Sequence, residues 1–191
     1  MEFRIGIDKA QLKNLEVELA HLPGGARKAL VTSLNRTIKG CRTDAAKAVS
    51  KTFFVTQADV KKTMRIRAAN KNHLEASVIS EAAVVPLSKF RVSPNGITNP
   101  RPRRGLAVKV RRTGGGRQKL QHGFLVKLGD HIGVFMRVGK NRHPIKQRYG
   151  PAIPSMIKDA GAFEMIQTGA DERLRKNIDH EIDRLLKGYG K

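Results

Sequence analysis

The chain has 191 residues, of which 39% are hydrophobic, 5% aromatic and none tryptophan, so a core built from Leu, Ile, Val, Ala and Met is within reach. Its 38 Lys and Arg against 16 Asp and Glu give a formal charge of +22, a surface that cannot neutralise itself and calls for an anionic partner, counterions or an acidic neighbouring chain. No apolar run approaches the roughly 20 residues of a membrane span, the start MEFRIGIDKAQ does not read as a secretory signal, and the single cysteine, Cys41, excludes an internal disulfide. Synthesis in a cytoplasm is expected.

The opening EFRIGID alternates Phe3, Ile5 and Ile7 and predicts a half-buried strand. Asp8 can cap a helix carrying Leu12, Leu15, Leu19 and Leu22, which ends at Pro23-Gly24-Gly25. A longer helix is predicted from about Ala26 to Lys51. Its stripe is Ala26, Leu30, Leu34, Ile38, Cys41, Ala45, Ala48 and Val49, with Arg27, Lys28, Arg36, Lys39, Arg42 and Lys47 largely off it. Gly40 inside that helix costs about 1 kcal/mol relative to Ala, and either permits close approach of a neighbour or is simply tolerated. On this stripe Cys41 reads as a small buried thiol rather than a reactive one.

Thr56 and Asp59 fit a capping box that opens a short helix through about Met64. MRIRAANKNHLEASVIS then reads as two strands around an Asn70-Lys71-Asn72 turn, with Leu74, Ala76 and Val78 on one face. The prolines and turn pairs of SPNGITNPRPRRG rule out a regular central strand. Strand character returns in GLAVKVRR, where Leu106, Val108 and Val110 share one face and Lys109 and Arg111 the other. TGGGRQ reads as a flexible tip, followed by strands in HGFLVKL and HIGVFMRV. Phe163, Ile166, Ala170, Leu174, Ile178, Ile182 and Leu185 predict a helical segment over about 152–189.

The expected fold is α+β in one domain, 1–191: a central antiparallel sheet, a long N-terminal helix pair, C-terminal helices and a basic excursion over about 93–119. Charge is uneven along it. Residues 82–158 hold 17 basic residues and one acid, Asp130, whereas 159–191 hold 6 basic and 7 acidic.

Little in the sequence supports chemistry. Around Gly139-Lys140 a phosphate-binding loop would need Gly at Val134 and a hydroxyl at Asn141, so nucleotide binding is rejected. A metal-dependent nuclease needs clustered carboxylates, and the basic region offers Asp130 alone. The six histidines show no ligand spacing; His131 and His143 could meet across strands without an evident role. No catalytic residue, cofactor or metal is expected.

The run GDHIGVFMRVGKNRHPIKQRYGPAIP, from residue 129, resembles the signature of the phage and prophage minor tail protein Z family. That signature is a G-x-x-G-V-F-x-R-x-G-K-x-R-x-P-I segment followed by aromatic-Gly-Pro and a second proline. Weaker similarity extends over roughly residues 26–158. His143 and Ala152 depart from the pattern, at sites more often apolar and often Ser respectively. The resemblance implies a tail completion protein at the head-proximal end of a long-tailed phage tail, acting in head–tail joining. By analogy it forms a sixfold ring around the DNA path, together with other tail and connector proteins.

Under that reading two groups of residues stand out. Pro144, Tyr149-Gly150-Pro151 and Pro154 would give a rigid exit from the sheet, with Pro144 ending regular pairing. Arg137, Lys140, Arg142 and Arg148, with Tyr149, would then form a subunit interface or face DNA, the alternative being solvated edge residues that prevent wrong pairing. Arg101, Arg103, Arg104, Arg111, Arg112, Arg117 and Lys119 would contact duplex phosphates without reading bases, or order against an acidic neighbouring protein. A general nucleic-acid-binding protein of ribosomal type accounts for the charge but not for the 129–156 motif.

Overall fold

The computed structural model describes residues 1–7, 9–18, 24–81, 84–97 and 105–188. The Asp8 cap, Leu19, Leu22 and Pro23 lie outside the described residues. The class is α+β, with every strand pairing antiparallel. The strands are spread over four small sheets rather than gathered in one. The chain divides into two compact units, the first comprising 1–46, 64–81 and 161–191, the second 47–63 and 82–160.

In the first unit, strand β1 (Glu2–Gly6) precedes helix α1 (Lys9–Glu18) and the long α2 (Gly25–Thr52), whose residues up to Ala46 belong here. Strands β2 (Met64–Arg67) and β3 (Glu75–Ser80) form the expected hairpin, with Met64 opposite Ser80 and Ile66 opposite Val78. The short helix before it therefore ends earlier than the periodicity suggested. β1 adds to the other side of β3, giving the order β1-β3-β2, and Ile5, Met64, Ala76 and Val78 are buried. Asn35 of α2 clamps the connection by donating to the Ala69 carbonyl at 3.0 Å and accepting from the Ala69 N–H at 2.8 Å.

Most of the predicted α2 stripe is buried, with Ala26, Leu30, Leu34, Ile38, Cys41 and Ala45 each at most 4% exposed, whereas Ala48 is half-buried. Burial pushes the Cys41 thiol up to about 11, so it is held neutral. Helix α5 (Ala162–Leu186) supplies the facing apolar row, with Ile166, Ala170 and Leu174 buried, and Phe163 meets Phe3 edge to face at 6.0 Å. Polar ties flank this contact. Asn177 donates to the Thr37 hydroxyl at 2.8 Å, Glu181 is buried between Arg36 and Arg184, and Arg173 pairs with Asp44.

The second unit starts from the last turn and a half of α2. Helix α3 (Gln57–Lys62) opens with the expected cap: the Thr56 hydroxyl accepts the Asp59 N–H at 3.1 Å. Next come β4 (Val84–Pro86), a single 3-10 turn at Leu87–Lys89, and β5 (Arg91–Ser93). β6 (Leu106–Lys109), β7 (Gln118–Leu120), β8 (Gly123–Leu128) and β9 (His131–Arg137) follow. The series closes with β10 (Ile145–Gln147), β11 (Tyr149–Ala152) and helix α4 (Ile153–Asp159). The sheets are β5-β6-β7, β10-β9-β8 and β11-β4. Phe53, Val60, Val92, Leu106, Val108, Phe124, Val134, Phe135, Ile153 and Met156 are among its buried residues.

Gly40 is a site of close approach. A Cβ there would meet the Arg173 guanidinium, with the Arg173 Cδ only 3.0 Å away. Gly40→Ala gains about 1 kcal/mol of helix propensity but displaces Arg173 from Asp44, so near-neutrality is expected. Gly40→Val is expected to lose about 1–3 kcal/mol by overpacking, and urea unfolding of the two variants separates these outcomes.

Asp59 gives a pH prediction. Burial opposes its charge, yet hydrogen bonds from Thr56 and Lys89 outweigh burial and hold the carboxyl below its ordinary 3.8. As pH falls, the unfolded chain takes up the proton first. The contribution is therefore full above the ordinary value and is lost as pH drops through the lowered one. Asp59→Asn is expected to be less stable than the parent near neutrality and to converge on it in acid, as thermal unfolding from about pH 6 down to about pH 2 would record.

Candidate functional site

The second unit carries the charge. Its sequence segments hold 21 Lys and Arg against three acids, Asp59, Asp130 and Asp159, a net +18. The first unit holds 17 against 13, a net +4. Within the second unit, Lys89 pairs with Asp59 at 3.2 Å and Arg111 with Asp159 at 3.0 Å. Among the described residues no other cation of this unit lies in a salt bridge.

The motif segment builds one rigid path. β9 pairs with β8 on one side and with β10 on the other, Ile145 lying opposite Arg137 and Gln147 opposite Phe135. This corrects the expectation that Pro144 ends regular pairing. Pro144 lacks an N–H but keeps its carbonyl, which accepts the Val138 N–H at 3.1 Å, so the ladder resumes directly after it. Residues 138–144 are thus the loop of a hairpin. Arg148 then ties two pieces together: its N–H donates to the Val134 carbonyl at 2.8 Å, and its carbonyl accepts the Leu87 N–H at 3.1 Å. The chain passes into β11, which pairs with β4 with a register irregularity between Tyr149 and Ala152, and turns into α4 with a proline in its first turn.

Two glycines of the motif are close-approach positions. A Cβ on Gly133 would lie 2.6 Å from the Phe135 ring, and one on Gly150 would lie 2.5 Å from the buried Phe90 ring. The G-V-F and aromatic-Gly-Pro pieces of the motif are therefore packing requirements. Around them, Tyr149 donates to the Gln147 side-chain oxygen at 3.1 Å, and the Gln147 amide nitrogen lies 2.7 Å from His131 Nε2. His131 thus meets Gln147.

The sequence-predicted contact residues separate into distinct settings. Arg101, Arg103 and Arg104 lie outside the described residues. Arg111 is engaged by Asp159 and sits 5.3 Å over the Phe53 ring. Arg112 donates from Nε to the Ser50 carbonyl at 2.8 Å and the Phe53 carbonyl at 3.2 Å, and stacks 4.7 Å over the half-buried Phe54 ring. Arg117 is exposed on the glycine-rich tip, and Lys119 is exposed on β7, part of a sheet rather than of a loop. In the other group, Arg137 ends β9, 6.0 Å over the Phe124 ring. Lys140 and Arg142 are exposed in the hairpin loop, and Arg148 and Tyr149 are exposed on the path into β11.

Three residues were missed by sequence reasoning: Phe54, Arg91 and Lys109. Arg91 lies 5.6 Å and Lys109 6.0 Å from the Phe54 ring centre, on the same ring as Arg112. Strand register brings them there, since Arg91 is directly opposite Lys109. The alternation R-V-S at Arg91–Ser93 was the available signal, but three residues make too short a run to stand out.

Among the described residues no group of three His, Cys, Asp or Glu side chains could hold a metal ion, and no helix is long and apolar enough to cross a membrane. The fold and charge thus define a mixed α+β protein with one strongly cationic unit. Residues 10–191 match the family model of prophage minor tail protein Z, and the chain belongs to that family, one of structural phage tail proteins. No curated protein and no solved structure matches the chain.

Gly150→Ala places a methyl against the buried Phe90 ring, and is expected to cost about 1–3 kcal/mol. Urea unfolding should show a lower midpoint at unchanged slope.

Proposed function

We propose that the chain completes the head-proximal end of a long-tailed phage tail and prepares it for joining to the head. It does so as one subunit of a ring around the DNA path, in contact with other tail and connector proteins. Family membership supports the tail role. The observation that carries the finer reading is the division of charge: +18 of the formal +22 belongs to the second unit. A subunit lining a DNA channel needs one part rich in cations without internal partners and another near charge balance for packing against protein. A ring also requires two different surfaces that meet head to tail, with sixfold closure the expectation by analogy.

The exposed hairpin loop bearing Lys140 and Arg142, with Arg137, Arg148 and Tyr149 nearby in sequence, is assigned here to the subunit interface. Its supporting feature is backbone rigidity, since β9 is paired on both edges and Arg148 is bonded on both sides. The ribosomal-type alternative shares the charge but leaves the family motif unexplained.

Deletion of the gene is expected to leave tails of normal length that do not join to filled heads. Electron microscopy of the complemented particles should place the protein at the head-proximal tail end. Joined, infectious particles without the protein, or copurification with ribosomal RNA in place of tails, would refute the proposal.

A further inference from the structure

The outer face of the β5-β6-β7 sheet and the cleft beside it hold charges that the protein's own acids do not answer. Val92, Leu106 and Val108 are buried, so the alternate residues Arg91, Ser93, Ala107 and Lys109 turn outward. Lys119 joins them, because it lies opposite Ala107. The register sets Arg91 directly across from Lys109, a like-charged pair of the kind that destabilises a sheet. Both converge on Phe54, where Arg112 is anchored by its Nε to the carbonyls of Ser50 and Phe53. None of these four cations has a carboxylate partner among the described residues. Beside them is an open cleft of about 420 Å³ whose lining includes Ser50, Phe54, Thr56, Arg91 and Arg112.

We infer that this face, formed by Arg91, Lys109, Arg112 and Lys119 around Phe54, is a binding site for the phosphodiester backbone of duplex DNA. Its chemistry selects a polyanion. Lys119, opposite Ala107, is displaced from Lys109 by one two-residue step, roughly 7 Å along the strand, and by one strand across, so the cations are spread over the face and can meet more than one phosphate. A protein partner fits less well, because the centre of a protein interface is depleted of charge and anchored by aromatic or apolar groups. The aromatic here, Phe54, is already approached by three cations, which compete with any base for stacking on it. Recognition is electrostatic and independent of sequence.

The inference rests on the reading of the cationic unit as facing DNA, but the two fail separately. The test is fluorescence anisotropy of the full chain with a labelled random-sequence duplex over increasing salt, for the parent, Arg91→Gln with Lys109→Gln, and a control removing two exposed cations elsewhere in the unit, Lys127→Gln with Lys158→Gln. Each phosphate contact contributes about 0.9 to the log–log salt slope. The Arg91/Lys109 variant should therefore lose about two from the slope, and the control less than half of that. Thermal unfolding should show the Arg91/Lys109 variant folded and close to the parent in stability, since relief of the repulsive pair offsets the lost contacts with Phe54. An unchanged slope, or an equal loss in the control, overturns the site. So does displacement of the labelled duplex by poly-glutamate as readily, charge for charge, as by unlabelled duplex, which would assign the face to an acidic protein. Binding as expected by a protein absent from tails would sink the tail-completion proposal and leave this site standing.

Discussion

The cationic unit depends on a conflict between burial and repulsion that burial wins. Strand alternation is strict: once Val92 and Val108 face inward, Arg91 and Lys109 must face outward opposite each other. Like charges so placed cost about 0.2–1 kcal/mol, whereas burying a single Val, Leu or Phe contributes about 1.5–3 kcal/mol. The sheet therefore holds its cations in fixed positions without any acid to hold them. Phe54 eases the crowding, because the negative face of one ring is shared by Arg112, Arg91 and Lys109 at 4.7, 5.6 and 6.0 Å.

The other unit, at +4, answers several of its arginines with its own acids. Arg27 meets Glu16, Arg65 meets Glu81, Arg173 meets Asp44, and Glu181 is satisfied by two arginines. Most of these pairs are partly exposed and contribute little to stability individually. Their significance is that this unit calls far less for an outside anion than the other does, while its packing rests on the buried apolar residues of α2, α5 and the β1-β3-β2 sheet. A chain with mean hydropathy −0.42 thus divides into one unit that is close to balanced and one that is not.

Long periodic elements were legible in the sequence. Helix α2 spans more than seven turns, so a 3.6-residue period has many chances to repeat, and the Asn70 hairpin and Thr56 cap are decided by residues within a few positions of one another. β4, β5, β7, β10 and β11 were not legible, because three or four residues contain barely one full alternation. Pro144 misled for a local reason: a missing N–H was read as the end of a strand, when the ladder there needed only an acceptor. The candidate site failed on long-range pairing. Arg111 and Asp159 are 48 positions apart, and nothing in either neighbourhood announces that one neutralises the other. Arg91 meets Lys109 only through the register of two short strands.

Those pairings change what the basic tract can do. A mobile tract that meets phosphates must be ordered as it binds, and the entropy of ordering is deducted from the affinity. Lys109 and Lys119 sit on paired strands, and Arg112 is tied to the end of α2 by a backbone bond from its N–H to Thr52 and by its Nε to two carbonyls. For these residues the ordering cost is met by folding. Arg111 marks the limit of the face, since its charge is answered by Asp159 and it is exposed at the point where Phe53 pairs with it. The difference between adjacent residues Arg111 and Arg112 is therefore one of partners rather than of residue type. Arg111 is neutralised by Asp159, whereas Arg112, held by two carbonyls and the Phe54 ring, meets no carboxylate among the described residues, so its charge is left for an outside anion.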